Sequence, residues 1–172
     1  MNFEKALLTE HSRVQAEKIA KYIGKDSARF KVLMDIFFCN EYILTQRAAS
    51  VMSICVRKYP DLISPFLKKM IYNLEKPVHD SVKRNTVRIL QEIEIPEKLI
   101  GKTVDVCFAL LAKPSEAVAI KAFSMTVLLN ITKKEPDLKN ELKIIIEDQL
   151  PYAKAAFISR GKKTLKELEK LS

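Results

Sequence analysis

Tryptophan is absent from this 172-residue chain, glycine occurs only three times and histidine twice. So few glycines leave almost none of the positive-φ turn chemistry that tight hairpins require, which argues against an antiparallel sheet. No apolar run approaches the ~20 residues of a membrane-spanning helix. The opening Met1-Asn2-Phe3-Glu4-Lys5 has no basic-then-apolar leader pattern. Three cysteines, Cys39, Cys55 and Cys107, lie far apart inside apolar stretches. That spacing suits neither a disulfide framework nor a zinc site, so reduced, buried thiols in a cytoplasmic chain are expected.

Catalytic groupings are equally scarce. His11 and His79 fall in separate segments, with no serine or cysteine placed for nucleophilic work. The Pro77-Val78-His79-Asp80 turn reads as a helix start with a capping aspartate. Glu147 and Asp148 are adjacent, but adjacent residues on a helix diverge by about 100° and cannot share a proton-transfer site. A glycine-rich phosphate loop is also missing. No catalytic residue, metal ligand or cofactor is expected, and the chain reads as a non-enzyme.

What the chain does contain is a repeat. Pro60-Asp61-Leu62, Pro96-Glu97-Lys98-Leu99 and Pro136-Asp137-Leu138 recur at intervals of 36 and 40 residues. Proline fits a helix's first turn, where its missing N–H has no partner to lose, and the neighbouring acid favours the positive helix end. Such a period marks stacked helix pairs. First helices are predicted over 27–39, 61–76, 97–113 and 137–149, and second helices over 41–58, 80–94, 116–134 and 154–170. Residues 1–26 are predicted to form one long or two short helices, with Ser12 as an N-cap and Gly24-Lys25-Asp26 as the stop. This segment would cap the first repeat. The apolar positions Leu33, Phe37, Ile63, Leu67, Leu90, Phe108, Leu110, Phe123, Leu128 and Ile144 are the expected core.

The second helices align as Thr45-Gln46-Arg47-Ala48-Ala49-Ser50, Val82-Lys83-Arg84-Asn85-Thr86-Val87 and Ile120-Lys121-Ala122-Phe123-Ser124-Met125. A β-branched residue, a basic residue and then small residues resemble the second-helix pattern of HEAT repeats, which merge with armadillo repeats at this level. The resemblance covers about 27–170. It departs at Gln46, where the family has a basic residue, and the fourth pair, Phe157-Ile158-Ser159-Arg160-Gly161, is degenerate. It implies one all-α domain over 1–172, a right-handed α-α superhelix of four helix pairs whose second helices line the concave face. It further implies that Lys83 and Lys121 hold the position of a structural basic residue paired with a turn acid.

Charge is unevenly placed. Of the formal +9, the second helices carry +8, from fifteen basic and seven acidic residues. The first helices carry +1, from ten and nine. With the second helices inside, the groove becomes the basic surface, its candidates Arg47, Lys83, Arg84, Arg88, Lys121, Arg160, Lys162 and Lys163. Arg47, Arg84, Lys121 and Arg160 follow the repeat length and are expected to form a ladder on one surface. An acidic protein or peptide is the partner this favours. The alternative is nucleic acid held through its phosphates, including a DNA-alkylation-repair-like HEAT protein. Such readers add aromatic residues to a basic track; this chain has no tryptophan, and its tyrosines fall mostly at expected core or turn positions.

Overall fold

The computed structural model describes residues 1–171, and among them every regular element is helical. The elements form two compact units, Met1–Asn85 and Thr86–Ser172. The first holds α1 (Phe3–Thr9), α2 (Arg13–Ile23), α3 (Ser27–Phe37), α4 (Tyr42–Lys58) and α5 (Leu67–Asn73). The second holds α7 (Glu97–Ala112), α8 (Val118–Thr132), α9 (Lys139–Gln149) and α10 (Ala155–Glu169). Helix α6 (Asp80–Leu90) runs from one unit into the other.

Most boundaries have a local cause. Asn2 accepts from the Lys5 N–H at 2.9 Å, Ser12 from the Gln15 N–H at 3.1 Å, and Asp26 Oδ1 from the Ala28 and Arg29 N–H groups at 2.9 and 3.0 Å. Each cap gives a donor of the first turn the partner it would otherwise lack. Gly24 closes α2 at φ +53, a conformation that residues with a Cβ seldom adopt. The N-terminal segment is therefore two short helices, which pack on each other and on α4. The recurring prolines act differently from expectation. Pro60 and Pro136 open 3₁₀ turns, Pro60–Phe66 and Pro136–Leu138, before the α-helices proper, and Pro96 sits one residue ahead of α7 as its N-cap. A second proline, Pro65, stands inside the first of those turns, where it removes a donor and delays the start of α5.

In the first unit the core gathers Phe30, Leu33, Met34 and Phe37 of α3 with Met52 of α4, Ile63, Leu67, Met70 and Ile71, all buried. In the second, α8 packs on α7 and α10, and Val106, Leu111, Met125, Leu128, Leu142 and Ile146 are buried. Gly161 supplies a close approach in α10. A Cβ there would lie 3.1 Å from Ile146 and 3.2 Å from Leu150, so the degenerate fourth pair carries glycine where α9 and its C-terminal extension come nearest.

Seven of the ten expected core residues are buried: Leu33, Phe37, Ile63, Leu67, Leu90, Leu110 and Leu128. Phe108 and Phe123 are only half-buried. Ile144 is 58% exposed. It is the first of three consecutive isoleucines, and successive helical positions turn by about 100°, so such a run cannot bury every member. Leu142 and Ile146 take the inward face instead. Accordingly Phe37→Ala should cost ~3–5 kcal/mol of unfolding free energy, the usual range for a buried aromatic. Ile144→Ala should stay within ~0.5 kcal/mol, as for a surface change. Urea unfolding of the two variants reads both, and similar losses would mean that the faces of α9 are misassigned.

Candidate functional site

The eight basic candidates divide by what their charged ends touch. Arg47, half-buried on α4, donates from Nη1 to the Leu7 carbonyl at 2.7 Å. Leu7 lies in the last turn of α1, where carbonyls lack helical partners, so the guanidinium closes the end of that helix. The Gln15 side chain does the same for the Ala6 carbonyl at 2.8 Å. Lys121 is buried, and its ammonium donates to Gln149 Oε1 at 2.8 Å. Gln149 Nε2 in turn donates to the carbonyls of Leu111 and Ile145 at 3.0 and 3.1 Å. The chain of bonds pins α7, α8 and α9 together. Burial pushes the Lys121 ammonium below its ordinary range, with the negative charge of Glu116 partly opposing. This is the structural role expected of the basic position, although its hydrogen-bond partner is an amide rather than a turn acid.

Arg160 behaves likewise. Its Nη1 donates to Thr126 Oγ1 at 2.5 Å and reaches Gln91 Oε1 at 3.5 Å, and the guanidinium lies 5.9 Å from the Phe123 ring centre. Three members of the expected ladder are thus donors within their own units, and their cationic ends are committed to α1, to α9 and to the α8 face. Arg88 is half-buried and has a partner as well. Lys83 and Arg84 on α6 are half-buried, Lys162 and Lys163 on α10 are exposed, and none of these four takes an ion pair among the described residues. The eight candidates therefore split into three that tie helices together, Arg88 with a partner, and four that form no ion pair among the described residues.

The turn before α6 contains a feature the sequence did not disclose. His79, not Asp80, caps the helix: its Nδ1 accepts from the Ser81 N–H at 3.1 Å, and Asp80 is already the first helical residue. The His79 N–H donates to Asn40 Oδ1 at 2.7 Å, and Asn40 holds the left-handed φ of +64. The imidazole also lies against Tyr42, with ring centres 5.2 Å apart. A histidine fills a structural role here, joining the loop before α4 to the start of α6. None of the five tyrosines is buried, so no tyrosine is in the core, while Tyr59 and Tyr152 do lie at turns as expected.

Among the described residues no group of three histidine, cysteine, aspartate or glutamate side chains could hold a metal ion, and no helix is long and apolar enough to cross a membrane. Cys55 and Cys107 are buried, and burial pushes both thiols up to about 12. Cys39 is exposed, contrary to the expectation of three buried thiols.

The helix pairs, their second-helix cations and the small residues beside them agree with the family match. The HEAT repeat domain model matches residues 3–168. This chain belongs to that family. HEAT repeats are helix-pair stacks that generally serve protein interaction. The matched stretch takes in α1 and α2, so the N-terminal segment falls within the family match. Nothing among curated proteins or solved structures matches the chain.

Two outcomes follow. His79→Ala should cost ~1 kcal/mol, the usual worth of a helix cap, and His79→Asn should recover most of it; thermal unfolding checks the pair. Iodoacetamide near pH 8 should label Cys39 alone in the folded chain, and Cys55 and Cys107 only in denaturant, since the thiolate is the reactive form. The sign of the linkage is fixed by the raised values: the fold favours the neutral thiols, and that contribution is lost as pH rises from the ordinary thiol range towards about 12. Mass spectrometry of the labelled peptides gives the answer.

Proposed function

We propose that this HEAT-repeat chain works as a non-catalytic scaffold, one binding module that receives an acidic protein or peptide. The observation that carries the reading is the set of four cations, Lys83, Arg84, Lys162 and Lys163, that form no close ion pair among the described residues. In a chain of net charge +9, such charges set a positive potential that draws in anionic partners and speeds their encounter. Arg160 holds α10, which carries Lys162 and Lys163, against α8 through Thr126.

Nucleic acid is the second reading, and the exposed aromatics favour it. Tyr152 stands 91% exposed two residues before Lys154, a pairing of ring and cation like those on which single strands stack. The two readings separate by salt dependence and by competitor. Reversing Lys83, Arg84, Lys162 and Lys163 to glutamate together should weaken capture of an acidic peptide at least about tenfold, a few tenths of a kcal/mol or more for each exposed charge. Fluorescence anisotropy with the peptide and with single- and double-stranded oligonucleotides measures this directly. Tighter binding of an oligonucleotide, with a salt slope that falls by about one for each lost phosphate contact, would replace the protein partner with nucleic acid.

A further inference from the structure

The end of α4 carries a different kind of surface. Tyr59 closes that helix, its N–H donating to the Cys55 carbonyl at 2.7 Å, and Pro60 then turns the chain into the 3₁₀ segment. The tyrosine ring is left half-buried between two ammonium groups, Lys25 Nζ at 5.6 Å and Lys58 Nζ at 5.5 Å from its centre. Beside it lies a hollow of about 730 Å³ floored by Tyr59, Leu62, Pro65 and Phe66 and edged by Lys25 and Lys58. A volume of this size accommodates several side chains. Phe66 is held from beneath by Phe30, ring centres 5.8 Å apart, so the floor rests on the core. A second hollow of about 410 Å³ shares Lys58 and Tyr59 and continues past Lys21. Tyr59 and Lys58 line both.

Charge around this track is unbalanced. Lys31 on the first rim is spoken for by Asp35 at 2.7 Å, and Glu17 on the second by Arg13 at 2.7 Å. That leaves Lys21, Lys25 and Lys58 without an acidic partner, against two lining carboxylates, Asp61 and the already paired Glu17. An occupant has to bring negative charge for the lysines and an apolar group for the floor. Prolines 60 and 65 offer no backbone donor, so apolar contact rather than a hydrogen-bond ladder fills the floor.

We propose that this track at the end of α4 binds an acidic peptide segment of a partner protein through one aromatic or leucine anchor seated between Tyr59 and Phe66, with flanking carboxylates on Lys25 and Lys58. The inference rests on the acidic-partner reading and places its anchor in the first unit, on residues other than the second-helix cations of α6 and α10.

The test uses the full chain and two fluorescent peptides of equal acidic charge, one with a central Phe-Leu pair and one with serines in its place. The anchored peptide should bind at least about tenfold more tightly, the worth of one buried large side chain at partial efficiency. Lys25→Glu with Lys58→Glu should weaken it about tenfold, Tyr59→Ser should erase its advantage over the serine peptide, and Lys83→Glu with Arg84→Glu should leave that advantage intact. Lysine acetylation of the unmutated chain, with and without peptide, should show Lys25 and Lys58 protected, a readout that requires no variant to fold. Equal affinity for the two peptides, or unprotected Lys25 and Lys58, would overturn the inference. Acidic peptides that respond only to charge reversal on α6 and α10 would overturn it while leaving the scaffold reading in place. If neither peptide binds at low salt, the acidic-partner reading falls and this inference with it. Displacement of the anchored peptide by an oligonucleotide of equal charge would show recognition of charge alone and would also overturn it.

Discussion

Short helices cannot stand alone in water. The α-helices here run from 7 to 17 residues, near or below the length at which an isolated helix holds together, so each depends on burying its apolar face against a neighbour. That constraint sets the rest of the molecule. It explains why α8, among the most apolar of the helices, packs against both α7 and α10, and why α1, with seven residues, is held by Arg47 and Gln15 at its last carbonyls as well as by Phe3 and Leu7 in the core. Polar side chains that reach from one helix to another's end are a necessary complement to the packing, because every short helix brings four unpaired carbonyls that a long one would spread over more residues.

The same economy divides the cations. A lysine or arginine with a long apolar stem can cover a helix contact and still place its charged head on a neutral oxygen of a neighbouring helix. Arg47, Lys121 and Arg160 do so, and their charges are withdrawn from any partner. Basic character in the sequence therefore overstates the basic surface that remains for binding. Of the candidates singled out, what is left lies on α6 and α10, and the end of α4 adds a place that combines charge with an apolar floor.

Much of the fold was legible in the sequence. Ser12, Gly24 and the three spaced prolines marked real boundaries, because caps and breakers act locally. Their consequences were less legible. Proline tolerates a 3₁₀ turn as readily as the first turn of an α-helix, so the α-helices after Pro60 and Pro136 begin later than the motif implied. Rotation about a helix axis was the harder quantity. A slip of one residue turns a side chain by about 100°, which is why Ile144 faces out, and why equal spacing along the chain could not tell an outward arginine from one that caps another helix. The His79 cap escaped notice for another reason: it rests on Asn40, distant in sequence, and histidine is seldom favoured at that position over the aspartate beside it. The Tyr59 track was invisible because its walls come from three separated stretches whose lysines, taken singly, look like ordinary surface.

Cys39 has a further consequence. It is the exposed thiol of the three, and it lines a small hollow shared with Met1, Phe3, Val32 and Ile36. A spin label or dye attached there would sit against the first turn of α1 in an otherwise unaltered chain. Its signal would follow the docking of the N-terminal helix, so the chain carries its own reporter for the fraying of the array at that end.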